Sequence, residues 1–159
     1  MMSSSIKFLC IVVVCLTASC AFSQPQRLSV YDVLMEYGFP VGLLPKGAIG
    51  YSLNRETGHF AVYFDKTCSF VIESYTLQYK STISGIISNR RLYNLKGVTV
   101  KILLLWLNIV EVKRDDEDIY FSVGIASADF GVDNFLESPQ CGCGFDCNKL
   151  PLNGDVSSI

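Results

Sequence analysis

The sequence contains little charge and almost no histidine, and both shortages exclude classes of protein. Charged residues make up 18% of the 159 residues, and His59 is the single histidine. Low charge combined with 12% aromatic residues argues against a disordered chain and against a coiled coil. A formal net charge of −2 without a basic block argues against a nucleic-acid-binding surface. At about 100–200 residues per domain, the length predicts one domain.

Motifs that carry well-known chemistries are also missing. The sequence has no Gly-X-Ser-X-Gly elbow and no glycine-rich phosphate loop. The acidic run from Asp115 to Asp118 lacks the alternating spacing of a calcium loop, so it predicts a solvated turn. His59 is at the start of a predicted strand beside a turn, so we interpret it as a histidine at the rim of the sheet rather than as a catalytic base. The sequence therefore predicts no catalytic residue, no metal and no cofactor, and it leaves open a weak hydrolase that uses His59.

The N-terminus contains one apolar run of the length found in signal peptides. Lys7 precedes the almost wholly apolar stretch Phe8 to Ala18, and small residues follow. This layout predicts a secretory signal peptide over residues 1–23, with cleavage after Ala21 or Ser23. The run is shorter than the roughly 20 residues that span a bilayer, although a signal anchor is an alternative. No second long apolar run follows, so we expect a secreted mature chain without an integral membrane segment.

Helical and alternating patterns organise residues 24–147. Ser29 and Asp32 occupy the N-cap and capping-box positions of a short helix that ends at Gly38. Beyond the helix, apolar residues alternate along short segments that are separated by turns. These patterns predict a mainly β domain, an antiparallel meander of about eight strands that forms a β-sandwich or barrel behind the helix. We expect residues 148–159 to form a flexible tail.

The strongest strand pattern runs from Val98 to Lys113. One face of this stretch is apolar almost throughout, and the other is apolar only in its middle. Such a pattern predicts a central strand beneath a second layer, or the wall of an apolar groove. Side chains that fill the core are the alternative interpretation. The candidate ligand-binding residues from this stretch are Leu103, Leu105, Trp106 and Leu107.

Four cysteines follow the predicted signal peptide: Cys68, Cys141, Cys143 and Cys147. An even number in a secreted chain predicts disulfides. A bond between Cys141 and Cys143 would close a very tight ring. The two remaining connectivities both join Cys68 to the Cys-Gly-Cys segment and pair the other cysteine of that segment with Cys147. Free or intermolecular thiols are one alternative. A metal site with three thiolates, completed by Cys68 or His59, is another, although its spacing differs from that of a zinc ribbon.

A series of short motifs extends over about residues 28–147. In chain order they are Tyr31-Asp32-Val33-Leu34, Gly38-Phe39-Pro40-Val41-Gly42-Leu43-Leu44-Pro45, Gly50-Tyr51-Ser52-Leu53-Asn54, Gly58-His59-Phe60-Ala61-Val62-Tyr63, Leu95-Lys96-Gly97-Val98, Leu105-Trp106-Leu107, Ile119-Tyr120-Phe121-Ser122-Val123-Gly124 and Cys141-Gly142-Cys143-Gly144. Each motif alone is weak, but their order is specific. The series resembles the plant family known only as a domain of unknown function (number 538).

The resemblance implies a β-sandwich or barrel built as a meander after an N-terminal helix. The family has been likened to lipid-binding domains of the bactericidal/permeability-increasing type, and it has been linked to stress responses, trichome development and chlorophyll-related hydrolysis. We therefore expect a monomeric, non-catalytic apoplastic domain that binds a lipid or another small apolar or amphipathic ligand. The alternatives are a chlorophyll-related esterase that uses His59 and an apoplastic interaction or structural protein.

Overall fold

The computed structural model describes residues 27–72, 74–145 and 147. The predicted signal peptide and the predicted tail both lie outside these residues. The described part begins with helix α1, which spans Val30–Glu36. The Ser29 hydroxyl accepts a hydrogen bond from the Asp32 backbone N–H at 3.2 Å, and the Asp32 carboxylate accepts one from the Ser29 N–H at 2.9 Å. The predicted capping box is therefore confirmed.

Nine strands follow the helix within the described residues, so the predicted mainly β, antiparallel fold behind an N-terminal helix is confirmed. In chain order they are β1 (Ala48–Leu53), β2 (His59–Phe64), β3 (Cys68–Ile72), β4 (Tyr75–Ser88), β5 (Arg91–Ile102), β6 (Leu105–Asn108), β7 (Glu111–Asp115), β8 (Asp118–Ser122) and β9 (Ser127–Gly131). Two short 3-10 helices, Val41–Leu43 and Val132–Phe135, lie before β1 and after β9.

The nine strands form one antiparallel sheet organised around two long strands. Its order is β1-β2-β4-β5-β7-β8-β9, with β3 also paired to β4 and β6 also paired to β5. Strand β4 pairs with β3 along Tyr75 to Tyr79 and with β2 along Thr82 to Ile86. In the described part of the chain β1 and β9 do not pair with each other, so the sheet curls without closing.

The long strands bend where they pass from one half of the sheet to the other. The pairing of β4 with β5 is irregular between Tyr79 and Ser84. Opposite this irregularity, Gly97 has a φ of +91°, and a Cβ at this position would collide with the carbonyl oxygen of Thr82. A side chain is therefore excluded at this point. The bend lets β8 and β9 face the paired ends of β3, β4 and β5 across the interior.

The interior is apolar, and two disulfides hold the C-terminal segment that begins at Cys141. No charged side chain is buried among the described residues, whereas Phe39, Phe70 and Ile119 are almost fully enclosed. Disulfides join Cys68 to Cys141 and Cys143 to Cys147. This pairing is one of the two connectivities that the sequence left open. None of these four cysteines is therefore a free thiolate that could bind a metal.

The prediction of one continuous strand from Val98 to Lys113 is wrong. The chain reverses at Leu103 and Leu104, and β6 returns alongside β5 with Ile102 opposite Leu105. Strand β4, the partner of β5, begins at Tyr75, so β5 would have no residues of β4 to pair with beyond Ile102. An extension of β5 would leave its backbone groups unpaired, whereas the hairpin pairs them.

No helix in the described residues is both long and apolar enough to cross a membrane.

Candidate functional site

The two ends of the sheet differ in chemistry. At one end lie the β1–β2, β4–β5 and β7–β8 turns, which carry Arg55, Glu56, Arg90, Asp116 and Glu117. Two of these form an ion pair, with 3.3 Å between the Arg90 guanidinium and the Asp116 carboxylate. We name this the charged end. At the opposite end lie the β3–β4, β5–β6 and β8–β9 connections, which we name the apolar end.

Large apolar side chains project into solvent at the apolar end. Leu103 and Leu104 in the β5–β6 turn are 91% and 89% exposed, and Ile125 in the β8–β9 turn is 91% exposed. Of the other predicted ligand-binding residues, Leu105 and Trp106 are exposed on β6, while Leu107 is half-buried against the core. The structure therefore places the predicted residues together on one hairpin.

An apolar cavity of about 200 Å³ lies directly behind these turns. It lies between the paired ends of β3, β4 and β5 on one side and β8 and β9 on the other. Its buried lining comes from Leu77, Tyr79, Val100, Ile109 and Phe135. The lining residues that stay partly or fully exposed define the mouth, which is at the apolar end: Ile72, Tyr75, Ile102, Phe121, Val123, Ala126, Ser127, Ala128 and Phe130.

The cavity mouth offers apolar surface with few polar groups. Tyr75 and Ser127 are the lining residues there that carry hydroxyls, and Tyr75 packs edge-on against Phe130 with ring centroids 5.9 Å apart. Apolar walls with a small number of polar groups near the opening are typical of sites for small apolar ligands. None of the four predicted residues lines the cavity, but Ile102 at the foot of the hairpin does.

Tyr79 is one of three residues, with Ile109 and Phe121, that line both this cavity and a second one of about 50 Å³ deeper in the core. Its hydroxyl donates a hydrogen bond to the Leu43 carbonyl oxygen at 3.2 Å. Burial raises the pKa of the Tyr79 phenol, because the charged phenolate would lose its hydration. The phenol therefore remains neutral and serves as a structural hydrogen-bond donor.

His59 lies at the charged end, away from the cavity mouth. Its side chain is exposed, and its Nδ1 is 3.0 Å from the Thr57 hydroxyl. In the described part of the chain no carboxylate hydrogen-bonds to this imidazole to hold its orientation. The neighbouring threonine and histidine thus lack the orienting third group of a nucleophilic triad. The geometry gives no support to the alternative of a hydrolase that uses His59.

Sequence reasoning missed the contribution of β8 and β9 to the cavity. The relevant stretch, Ser122 to Ala128, contains only small, apolar and hydroxyl residues and includes no charge. That run of uncharged residues across a turn is the signal that could have identified it, because most surface turns are polar. Its position over β3 to β5 depends on the bend of the long strands.

Comparison with known proteins gives a family and an uncharacterized relative. Residues 30–136 match the family described as "Protein of unknown function, DUF538". An "Uncharacterized protein At5g01610" of Arabidopsis thaliana is 25% identical over 95 residues, which make up 59% of this chain and 55% of that protein. The chain therefore spans about half the length of this relative.

Proposed function

The chain belongs to the DUF538 family, whose description states no activity, and we propose that it is a non-catalytic binding domain for an apolar or amphipathic, lipid-like ligand. The observation that carries this proposal is the apolar cavity of about 200 Å³ with its mouth at the apolar end. The two disulfides are compatible with an extracellular protein. We place its action outside the cell, where the predicted signal peptide would direct it.

The size of the cavity limits which part of a ligand can enter. An engineered apolar cavity of about 150 Å³ stays dry and takes up benzene. A cavity of about 200 Å³ accordingly accepts one ring or the end of an alkyl chain, but not a whole lipid. The ligand therefore places its apolar end inside, and its polar part remains at the mouth near Tyr75 and Ser127.

Hydrophobic transfer supplies the affinity in this arrangement. Each methylene group that leaves water contributes about 0.8 kcal/mol, which corresponds to about a fourfold increase in affinity. The increase stops when the cavity is full, because further methylenes remain in water. A chain-length series therefore reports on the depth of the cavity.

The experiment is calorimetric titration of the protein with straight-chain primary alkanols from hexanol to decanol. We expect about a fourfold gain in affinity per methylene, followed by a plateau. The variant Ala128→Phe adds a ring at the cavity mouth and should abolish the chain-length dependence. The matched control, Asp129→Phe, adds the same ring to the opposite face of β9, since neighbouring strand residues alternate. Absence of binding, or equal binding by both variants, would contradict the proposal.

A further inference from the structure

We propose that the apolar end docks onto a lipid bilayer surface, with Leu103 and Leu104 of the β5–β6 turn entering its acyl region. This rests on the proposed function in one respect, since the bilayer is then the source of the apolar ligand. Contiguous exposed apolar side chains mark interaction surfaces for proteins or membranes. Ile102 beside this turn and Ala126 beside the β8–β9 turn both belong to the lining of the cavity, which connects this surface with the proposed ligand site.

The conformation of the β5–β6 turn indicates that its leucines are not present for stability. Leu103 has a φ of +55° at the first central position of a two-residue turn. Hairpin turns with positive φ at this position favour glycine, because a Cβ is strained there. The Leu103 side chain gains no packing in return, because it is almost fully exposed. Strain without a packing benefit is typical of functional positions.

The residues behind the turn have the chemistry of a membrane interface. Lys101 and Trp106 lie directly opposite each other, two positions behind Leu103 and Leu104. At about 3.3 Å per residue, this places the pair about 7 Å behind the tip. Interfacial segments bury their apolar part by about 5–10 Å, while tryptophan and lysine settle at the level of the headgroups. The hairpin thus has an apolar tip, followed by Lys101 and Trp106 at the depth of the lipid headgroups.

The distribution of charge favours a bilayer over a charged protein partner. The charged residues of segments 71–76, 99–108 and 122–128 are Lys101 and Glu73, of which Glu73 lies outside the described residues. The turns at the opposite end carry several charges of both signs. Docking therefore depends on apolar burial and not on anionic lipid, so it should occur on zwitterionic vesicles and change little with salt.

The test is flotation of the full chain with phosphatidylcholine vesicles. We expect wild-type protein to float with the vesicles and the variant L103S/L104S to lose at least tenfold in partitioning. The matched control I49S/L136S removes two other exposed apolar residues and should float like the wild type. Unchanged flotation of L103S/L104S would overturn the docking proposal.

Trp106 provides an independent readout, because it is the only tryptophan in the chain. Vesicle binding should shift its fluorescence to the blue, and brominated phosphatidylcholine should quench it. Absence of quenching despite flotation would place the contact elsewhere and overturn the proposal. A dimer in sedimentation that L103S/L104S abolishes, without vesicle binding, would instead assign the tip to a second copy of the chain and also overturn it.

Alkanol titration of L103S/L104S separates this inference from the proposed function. The cavity lining does not include either leucine, so we expect the variant to bind alkanols like the wild type. Retained alkanol binding with lost flotation supports both proposals. Retained alkanol binding with unchanged flotation overturns docking alone, whereas flotation of a wild type that binds no alkanol overturns the cavity function alone.

Discussion

The disulfide between Cys68 and Cys141 should contribute about twice as much stability as the one between Cys143 and Cys147. The first bond closes a loop with a sequence separation of 73, and the second closes one of 4. Restriction of the unfolded chain then contributes about 4.4 kcal/mol for the long loop and about 2 kcal/mol for the short one. The expected difference in the free energy of unfolding is about 2.5 kcal/mol.

Two double variants measure this difference: C68A/C141A and C143A/C147A. Cys68 is fully buried, so its truncation adds a packing loss of about 1 kcal/mol to the first variant. The single variant V100A, which truncates another buried core residue, calibrates such packing losses. Urea unfolding followed by circular dichroism should place the two midpoints at least about 1.7 M apart, for a slope of about 1.5 kcal/mol/M.

The same cross-link also holds the lining of the cavity. Phe145 lies just beyond Cys141 and packs edge-on against Phe70 and Phe135, and Phe135 lines the cavity. Phe145 lies inside the ring closed by Cys143–Cys147, whereas Cys68–Cys141 joins this whole segment to β3, so we expect C68A/C141A to weaken alkanol binding more than C143A/C147A does. Equal losses of stability in the two variants, or a larger loss for the short loop, would refute the reasoning from loop length.

Three further predictions concern single positions. Gly97→Ala should lower the free energy of unfolding by about 2 kcal/mol more than Gly124→Ala in urea melts, because both have a φ of +91° but only Gly97 faces a backbone carbonyl; equal losses would contradict the close approach. The hydrogen bond from the Ser29 side chain lowers the pKa of the Asp32 carboxyl most, and the one from the Ser29 backbone N–H lowers it further. This contribution is complete above the ordinary carboxyl pKa and is lost as the pH falls through the lowered folded-state value, so thermal melts of wild type and Asp32→Asn should converge at acidic pH. Leu103→Gly should leave stability unchanged or raise it by up to about 1 kcal/mol while it weakens vesicle flotation, and a clear loss of stability would show that the leucine packs in the fold.

The features that could be predicted from the sequence are those decided by neighbouring residues. The capping box of Ser29 and Asp32 involves residues three positions apart, so its pattern is visible in the sequence. The alternation in β2 follows from one buried and one exposed face. The tight ring between Cys141 and Cys143 excluded one disulfide pairing, but the choice between the other two depended on the fold.

The cavity could not be predicted, because its walls come from strands that are distant in sequence. Val100 and Phe130 line the same space only because β4 and β5 bend near Gly97 and bring β9 over their ends. Period-two alternation assigns each side chain to a face but does not show how the sheet curls. The apolar residues of β8 and β9 consequently resembled ordinary core residues in the sequence.

The hairpin at Leu103 was missed for a different reason, and that reason bears on function. Sequence reasoning places two-residue turns at glycine or asparagine, where positive φ is tolerated, and this turn contains two leucines. A fold selected for stability alone would place glycine there and would bury the leucines. Local turn preference, burial and solubility all oppose the observed residues, and natural sequences break several such rules together mainly at functional sites. The failure of the prediction at Leu103 therefore coincides with the surface for which we propose a bilayer partner. A bilayer would relieve the conflicts with burial and solubility, whereas the backbone strain at Leu103 would remain as the cost of placing the leucine at the tip.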